Sequence, residues 1–204
     1  MNPMNPMKSA AGRLGIVLLM FLPALALMNA VELPFYVYKD GKDKSNRYVP
    51  SGFCGDYSAI QMDESCTDQP KEGKTCLKFT YSGKPTQGLS WAGVFFQNPA
   101  NNWGTANGGY DLTGAKKLKF FARGNKGGEI VEFKMGGING PAFADSDGAS
   151  TGPVTLTKDW KQYEIDLSKL DLSYIMGGFS WVARAEDNPE GATLYLDDVQ
   201  YAAN

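Results

Sequence analysis

Apolar residues in this chain recur at every second position, in short runs separated by Gly, Pro, Asn and Asp. In "KKLKFFARG" (116–124), Leu118, Phe120 and Ala122 fall on one side, and Lys117, Lys119, Phe121 and Arg123 on the other. Period two belongs to a half-buried strand, and no segment sustains the 3.6 period of a helix. Runs at 33–40, 59–64, 75–82, 88–98, 116–124, 129–137, 152–157, 161–167, 177–184 and 192–202 read as about ten strands. Residues 41–58 read as a long loop, and 166–178 has room only for a short helical turn. Short strands at regular spacing imply an all-β sandwich or barrel. With no internal repeat, low-complexity tract or linker, residues 31–204 read as one domain.

The first thirty residues differ. Lys8 and Arg13 are the only charges before Glu32, and Leu14 to Met28 is an unbroken apolar run. This pattern describes a secretory signal peptide over 1–30, too short and Pro-interrupted for a spanning helix. Cleavage leaves 18 bases against 22 acids, a mildly acidic protein that is secreted, periplasmic or held at the cell surface, with no membrane partner. The charges are interspersed, which argues against a nucleic-acid partner. Export permits a disulfide. Of three cysteines, Cys66 and Cys76 flank a turn and are expected to pair, leaving Cys54 as a buried small residue.

The chain has no histidine, which removes the usual general base, nucleophile activator and zinc ligand. A carboxylate pair, Glu164 and Asp166, remains on one strand face for glycan hydrolysis. Lys169 stands where β-sandwich glycanases place a third acid, so no catalytic residue is expected.

The run "SWAGVFFQNPANNWG" (90–104) carries rings on both strand faces. With Ala92, Val94 and Phe96 in the core, Trp91, Phe95 and Gln97 are left outside. The same division of 116–124 leaves Phe121 and Arg123 outside with Lys119. In 177–184 two arrangements are open: Phe179, Trp181 and Ala183 point inward, or they join the open face. Rings interleaved with fixed amide and guanidinium groups suit a sugar, whose C–H face stacks while its hydroxyls hydrogen-bond. The expected ligand set is Trp91, Phe95, Gln97, Phe121, Arg123 and Trp181. A cover of loop residues making a second small core is the competing account of the same rings. Trp103 reads equally as a core lid or a ligand contact, and Asp145 and Asp147 as turn residues or cation ligands.

Three stretches, "GGYDLTGAKKLKFFARGNKGGEIVEFKMGG", "TLTKDWKQYEIDLSKLDLSYIMGGFSWVA" and "NPEGATLYLDDVQY", resemble the galactose-binding-like jelly rolls used as carbohydrate-binding modules. The resemblance covers about 75–202 and implies a non-catalytic domain that binds a polysaccharide or glycan. An alternative is a surface or matrix protein that self-associates through its exposed rings; a glycan-active enzyme is the third reading. The resemblance also implies a structural calcium at the last strand. If Val199 points into the core, period two turns Asp197 inward as well, where its carboxylate needs a partner. Calcium held by Asp197, Asp198 and Asp40 is one solution. An ion pair with Lys39 and an exposed Asp197 are the others.

Overall fold

The computed structural model describes Met1 and residues 31–204; the expected signal segment lies outside the described residues. Eleven strands run in chain order: β1 Phe35–Tyr38, β2 Val49–Gly55, β3 Ile60–Cys66, β4 Cys76–Tyr81, β5 Trp91–Gln97 and β6 Lys117–Gly124. They continue as β7 Ile130–Gly136, β8 Gly148–Thr155, β9 Lys161–Asp166, β10 Gly177–Arg184 and β11 Ala192–Ala202. The only helix among the described residues is one 3-10 turn at Tyr57–Ala59.

Two antiparallel sheets form. Sheet A has the order β3-β4-β11-β6-β9, with β1 also paired to β11; sheet B has the order β2-β5-β10-β7-β8. The eleven-residue β11 makes this branching reachable. Its first half pairs with β4, its end pairs with β1, and β6 runs along its other side.

The alternation seen in the sequence becomes the core. Sheet A contributes Leu77, Phe79, Leu118, Phe120, Leu194 and Leu196, and sheet B contributes Val94, Phe96, Val131, Phe133, Phe179 and Trp181, all at most 1% exposed. The rings cross between the sheets. Phe79 lies 5.2 Å from Trp181, and Phe120 lies 4.7 Å from Phe133 and 5.1 Å from Phe179. Aromatic pairs at these separations add roughly 0.5–1.5 kcal/mol each beyond area burial.

The segment 41–58, expected to be a loop, contains β2. Pro50, Gly52 and Gly55 hide its alternation, and the pairing slips by one residue between Pro50 and Gly52. A proline is tolerated there because β2 is an edge strand. The same holds for Pro153 in β8, which begins at Gly148, four residues before the expected start.

A second departure decides the fate of Asp197. Across the β11–β6 ladder, Asp197 pairs with Phe121 and Gln200 with Lys119, three residues against two. Asp198 is the extra residue of a β-bulge, with φ at +48°. The bulge resets the alternation, so Val199 and Asp197 point to opposite sides. Asp197 lies on the outer side of sheet A, buried beneath the 67–75 loop rather than in the core.

Candidate functional site

The six expected ligand residues do not share a face. Trp91 and Phe95 lie on the outer side of sheet B, and Phe121 and Arg123 on the outer side of sheet A. Trp181 is in the core between them, 0% exposed. Both arrangements of β10 obey period two; the inward one wins because it seats Trp181 against Phe79 and Phe179 against Phe96.

Gln97 is also fully buried. Its Nε2 donates to the Asn102 carbonyl at 3.0 Å, and its Oε1 accepts from the Ser51 hydroxyl at 3.0 Å. It is a staple between β2, β5 and the following loop. Gly52 makes the space, since a Cβ there would stand 2.7 Å from the Gln97 side chain.

Arg123 is 6% exposed and belongs to the second small core. Its guanidinium lies 3.6 Å from the Tyr195 ring centroid and 5.2 Å from that of Trp160. Its Nη2 donates to the Asp68 carbonyl at 2.8 Å, with the Asp68 carboxylate at 3.4 Å. Trp160 Nε1 donates to the Gln69 carbonyl at 2.7 Å. The cover is the 67–75 loop.

The same loop supplies the partner that Asp197 needs. Asp197 Oδ2 accepts from the backbone N–H groups of Lys71 and Glu72 at 2.8 and 3.1 Å, and Oδ1 accepts from that of Asp198 at 2.9 Å. Asp40 is bound separately, by the Gly41, Lys74 and Thr75 amides and the Thr75 hydroxyl. Asp198 accepts from Gln200 Nε2 at 2.8 Å, while Lys39 lies over the Tyr36 ring. The expected calcium set of Asp197, Asp198 and Asp40 is therefore not assembled: among the described residues no three acids converge as metal ligands. The positive ends of N–H dipoles occupy the side of Asp197 that a cation needs. Melting temperature tests the calcium expectation: a rise of several degrees in calcium over chelator would support it, and equal values would reject it.

Asp145 and Asp147 are loop staples as well. Asp145 accepts from the amides of Ile138, Met176 and Gly177, and Asp147 from those of Gly148 and Asp171. Exposed Glu164 pairs with Lys117 at 2.8 Å, and Asp166 turns back to the Ser168 amide at 2.9 Å. Neither lies in a cleft with the other.

The outer side of sheet B retains a site. Trp91 and Phe95 lie four residues apart on one side of β5, a rise of about 13 Å. Gly93 between them leaves the strand surface low, because a Cβ there would meet the Trp181 carbonyl at 2.5 Å. Trp103, 39% exposed, packs edge-on to Phe95 at 5.4 Å and extends the row of rings. The register brings Arg184 opposite Trp91, and Ser180 opposite both Phe95 and Lys134. Glu132 holds Lys134 at 3.4 Å and Arg184 at 3.7 Å. Charged donors and an acceptor are thus fixed beside the half-open rings. Cys54 completes the floor; burial pushes its thiol up to about 11, so it stays protonated and unreactive.

Arg184, Glu132 and Lys134 escaped the reading of the sequence, because nothing in it says which strands lie beside β5. Trp103 carried a signal, a tryptophan directly after a ring-bearing strand, but only the contact with Phe95 assigns it to this face.

A two-sheet sandwich with rings and polar groups on an outer sheet face is an architecture suited to holding a carbohydrate chain. The chain belongs to the family described as Carbohydrate binding domain 30, which it matches over residues 35–203. No curated protein sequence matches it. Among solved structures, it resembles the family 30 module of a cellulosomal cellulase from Clostridium thermocellum. That match has a TM-score of 0.56 at 18% identity, covering 85% of this chain and 99% of that one. Another family 30 carbohydrate-binding module gives a TM-score of 0.54 at 17% identity, covering 84% and 88%. A family 11 module from Clostridium thermocellum, solved with a β-1,3-1,4-mixed-linked tetrasaccharide, gives 0.53 at 14%, covering 81% and 94%. At these identities the likeness is one of fold.

Proposed function

We propose that this domain binds a β-glucan chain along the outer face of sheet B, stacked on Trp91, Phe95 and Trp103. One observation carries the reading: these are half-open rings in a row, beside the Lys134–Glu132–Arg184 set. The rings offer faces to the C–H side of successive sugar units, and the charges offer hydrogen bonds to hydroxyls at the edge. Family membership supplies the ligand class, and the mixed-linked tetrasaccharide of the family 11 module suggests the linkage. Affinity electrophoresis in gels containing mixed-linkage β-glucan or hydroxyethyl cellulose tests it. Wild type is expected to be retarded. Trp91→Ala/Trp103→Ala should run as in a sugar-free gel, because buried aromatic anchors are worth about 2 kcal/mol or more each in a binding surface. Equal retardation of the folded double variant would remove sheet B as the site.

The reading places the protein outside the cytoplasm, carried there by the segment 1–30, and a disulfide follows. Cys66 and Cys76 are directly opposed across the β3–β4 ladder and both are buried. Opposed residues of an antiparallel pair have Cα atoms about 4.5–5.5 Å apart, within the reach of a disulfide. In the structure both are thiols; in an oxidising compartment they are expected to join. Peptide mapping without reductant should give one Cys66–Cys76 cross-link with Cys54 free. Reduction should cost roughly 2–3 kcal/mol, as for other short loops. A Cys54 cross-link, or three alkylatable thiols in the exported protein, would refute the pairing.

A further inference from the structure

The described residues cover the outer side of sheet A only in part. The 67–75 loop buries Arg123, Tyr195 and Asp197, and its cover reaches Phe121 through Lys71, whose ammonium lies 4.9 Å from the ring centroid. Beyond Phe121 lies an open cleft of about 420 Å³, walled by Leu33, Pro34 and residues 202–204. Phe121, Lys119, Gln162, Asp198 and Gln200 line it.

The ladder sets these groups in a fixed pattern. Gln162 of β9 is directly opposite Phe121, and Gln200 of β11 is opposite Lys119 on the other side of β6. Directly opposed Cβ atoms lie about 5 Å apart and diagonal ones about 7–8 Å, so an amide flanks the Phe121 ring on each side. The bulge matters here too. It places the Asp198 carboxylate in the cleft wall, where it accepts from Gln200 Nε2 at 2.8 Å and holds that amide in position. The φ of +48° at Asp198 is one that non-glycine residues seldom adopt, and such strain persists where the surroundings enforce it.

We infer that this cleft is a second glycan-binding site, facing away from the first. A half-buried ring supplies the stacking surface; two amides, a carboxylate and an ammonium supply acceptors and donors for hydroxyls. The mixture of one acid with Lys119 suits neither a phosphate, which needs clustered cations, nor a metal ion, which needs clustered oxygens. The polar rim suits a sugar better than an apolar protein surface. The ligand class rests on the glycan reading of sheet B; the residues and the face are separate from it. With sites on opposite sheets, one domain bridges two polysaccharide chains.

Amide chemical-shift mapping with cellohexaose and with the β-1,3-1,4 mixed-linkage tetrasaccharide distinguishes the two faces. Two separate sets of shifts are expected, one around Trp91, Phe95 and Arg184, the other around Lys119, Phe121 and Gln162. Trp91→Ala/Trp103→Ala should lose the first set and keep the second. Phe121→Ala should weaken the second at least tenfold and keep the first. Because Phe121 also packs under Lys71, the exposed Gln162→Ala serves as the second variant, with a smaller loss on the same set. Wild type should also precipitate soluble mixed-linkage β-glucan, and either single-face variant should not. Shifts confined to sheet B would overturn the second site while leaving the first intact. Shifts on sheet A that neither Phe121→Ala nor Gln162→Ala alters would overturn it as well. Absence of shifts on both faces with both sugars would overturn the glycan reading itself.

Discussion

Trp181→Ala is expected to lower the stability of the domain by about 3–5 kcal/mol, the usual cost of emptying a core of a large ring. For a domain of this length that is a fall of roughly 6–20 °C in melting temperature. The indole is wholly buried, packs on Phe79 at 5.2 Å, and sits where β10 crosses the middle of sheet B. Its N–H has no hydrogen-bond partner, so part of its contribution is already offset by desolvation. Trp181→Phe removes that unpaired donor while keeping a ring, and is expected to cost well under half as much. Glycan binding by either variant, measured below its melting temperature, should match wild type. Trp91→Ala is the mirror image, with near-wild-type melting and lost binding. Thermal unfolding followed by binding assays separates the two. A Trp181→Ala protein that melts normally but no longer binds sugar would show that the ring reaches the ligand.

Asp197→Ala is the second large effect, expected at about 2–4 kcal/mol. It leaves the amides of Lys71, Glu72 and Asp198 without their acceptor, and a buried unpaired group costs about 1–3 kcal/mol. The 67–75 loop, no longer anchored, should also loosen over Arg123 and Trp160. Asp197→Asn keeps one acceptor oxygen and is expected to cost less. The pH dependence has a definite sign. Burial pushes the Asp197 carboxyl from 3.8 up to about 6 against the pull of its three amide donors, so the folded state binds this proton more tightly than the unfolded chain. Its contribution to stability is full below about 4 and is lost as pH rises through 6. The stability of wild type relative to Asp197→Asn should therefore be greater at pH 4 than at pH 7, by chemical denaturation at each pH. An unchanged difference between the two pH values would mean that Asp197 ionises as freely in the fold as outside it.

The strand pattern was legible because it is a local property. Leu118, Phe120 and Ala122 in β6, and Ala92, Val94 and Phe96 in β5, alternate in the chain and line the core. The two longer runs of glycine, proline and small residues, 41–58 and 140–153, concealed β2 and the start of β8. Edge strands need no continuous apolar side and accept a proline, so they leave little mark on composition. Cys66 and Cys76 were readable as neighbours because a short turn separates them, and they stand opposite each other across one ladder.

The candidate site was half legible. Trp91 and Phe95 were found from the outward side of one strand, and both keep that position. Phe121 and Arg123 obey the same rule on β6 yet face the opposite way in space, because β5 belongs to sheet B and β6 to sheet A. Alternation states that a residue points out of its sheet; it carries no information about which sheet. Gln97 was placed outward correctly, but an outward amide next to two glycine-rich strands can be closed over by a loop, and here Asn102 and Ser51 close it.

By itself the amino-acid sequence determined the all-β class, the core sides of β5 and β6 and the absence of histidine chemistry, since each depends only on residue type and spacing along the chain. Tertiary structure alone decided the rest: which strands are neighbours, that Trp181 faces inward, and that Arg123 is covered. It also decided that the bulge at Asp198 returns Val199 to the core, so that Asp197 stays on the outer side with Tyr195, at the amides of a distant loop. These outcomes depend on pairing between residues far apart in sequence. A one-residue slip in such a pairing reverses every side chain after it, so no local pattern can specify them.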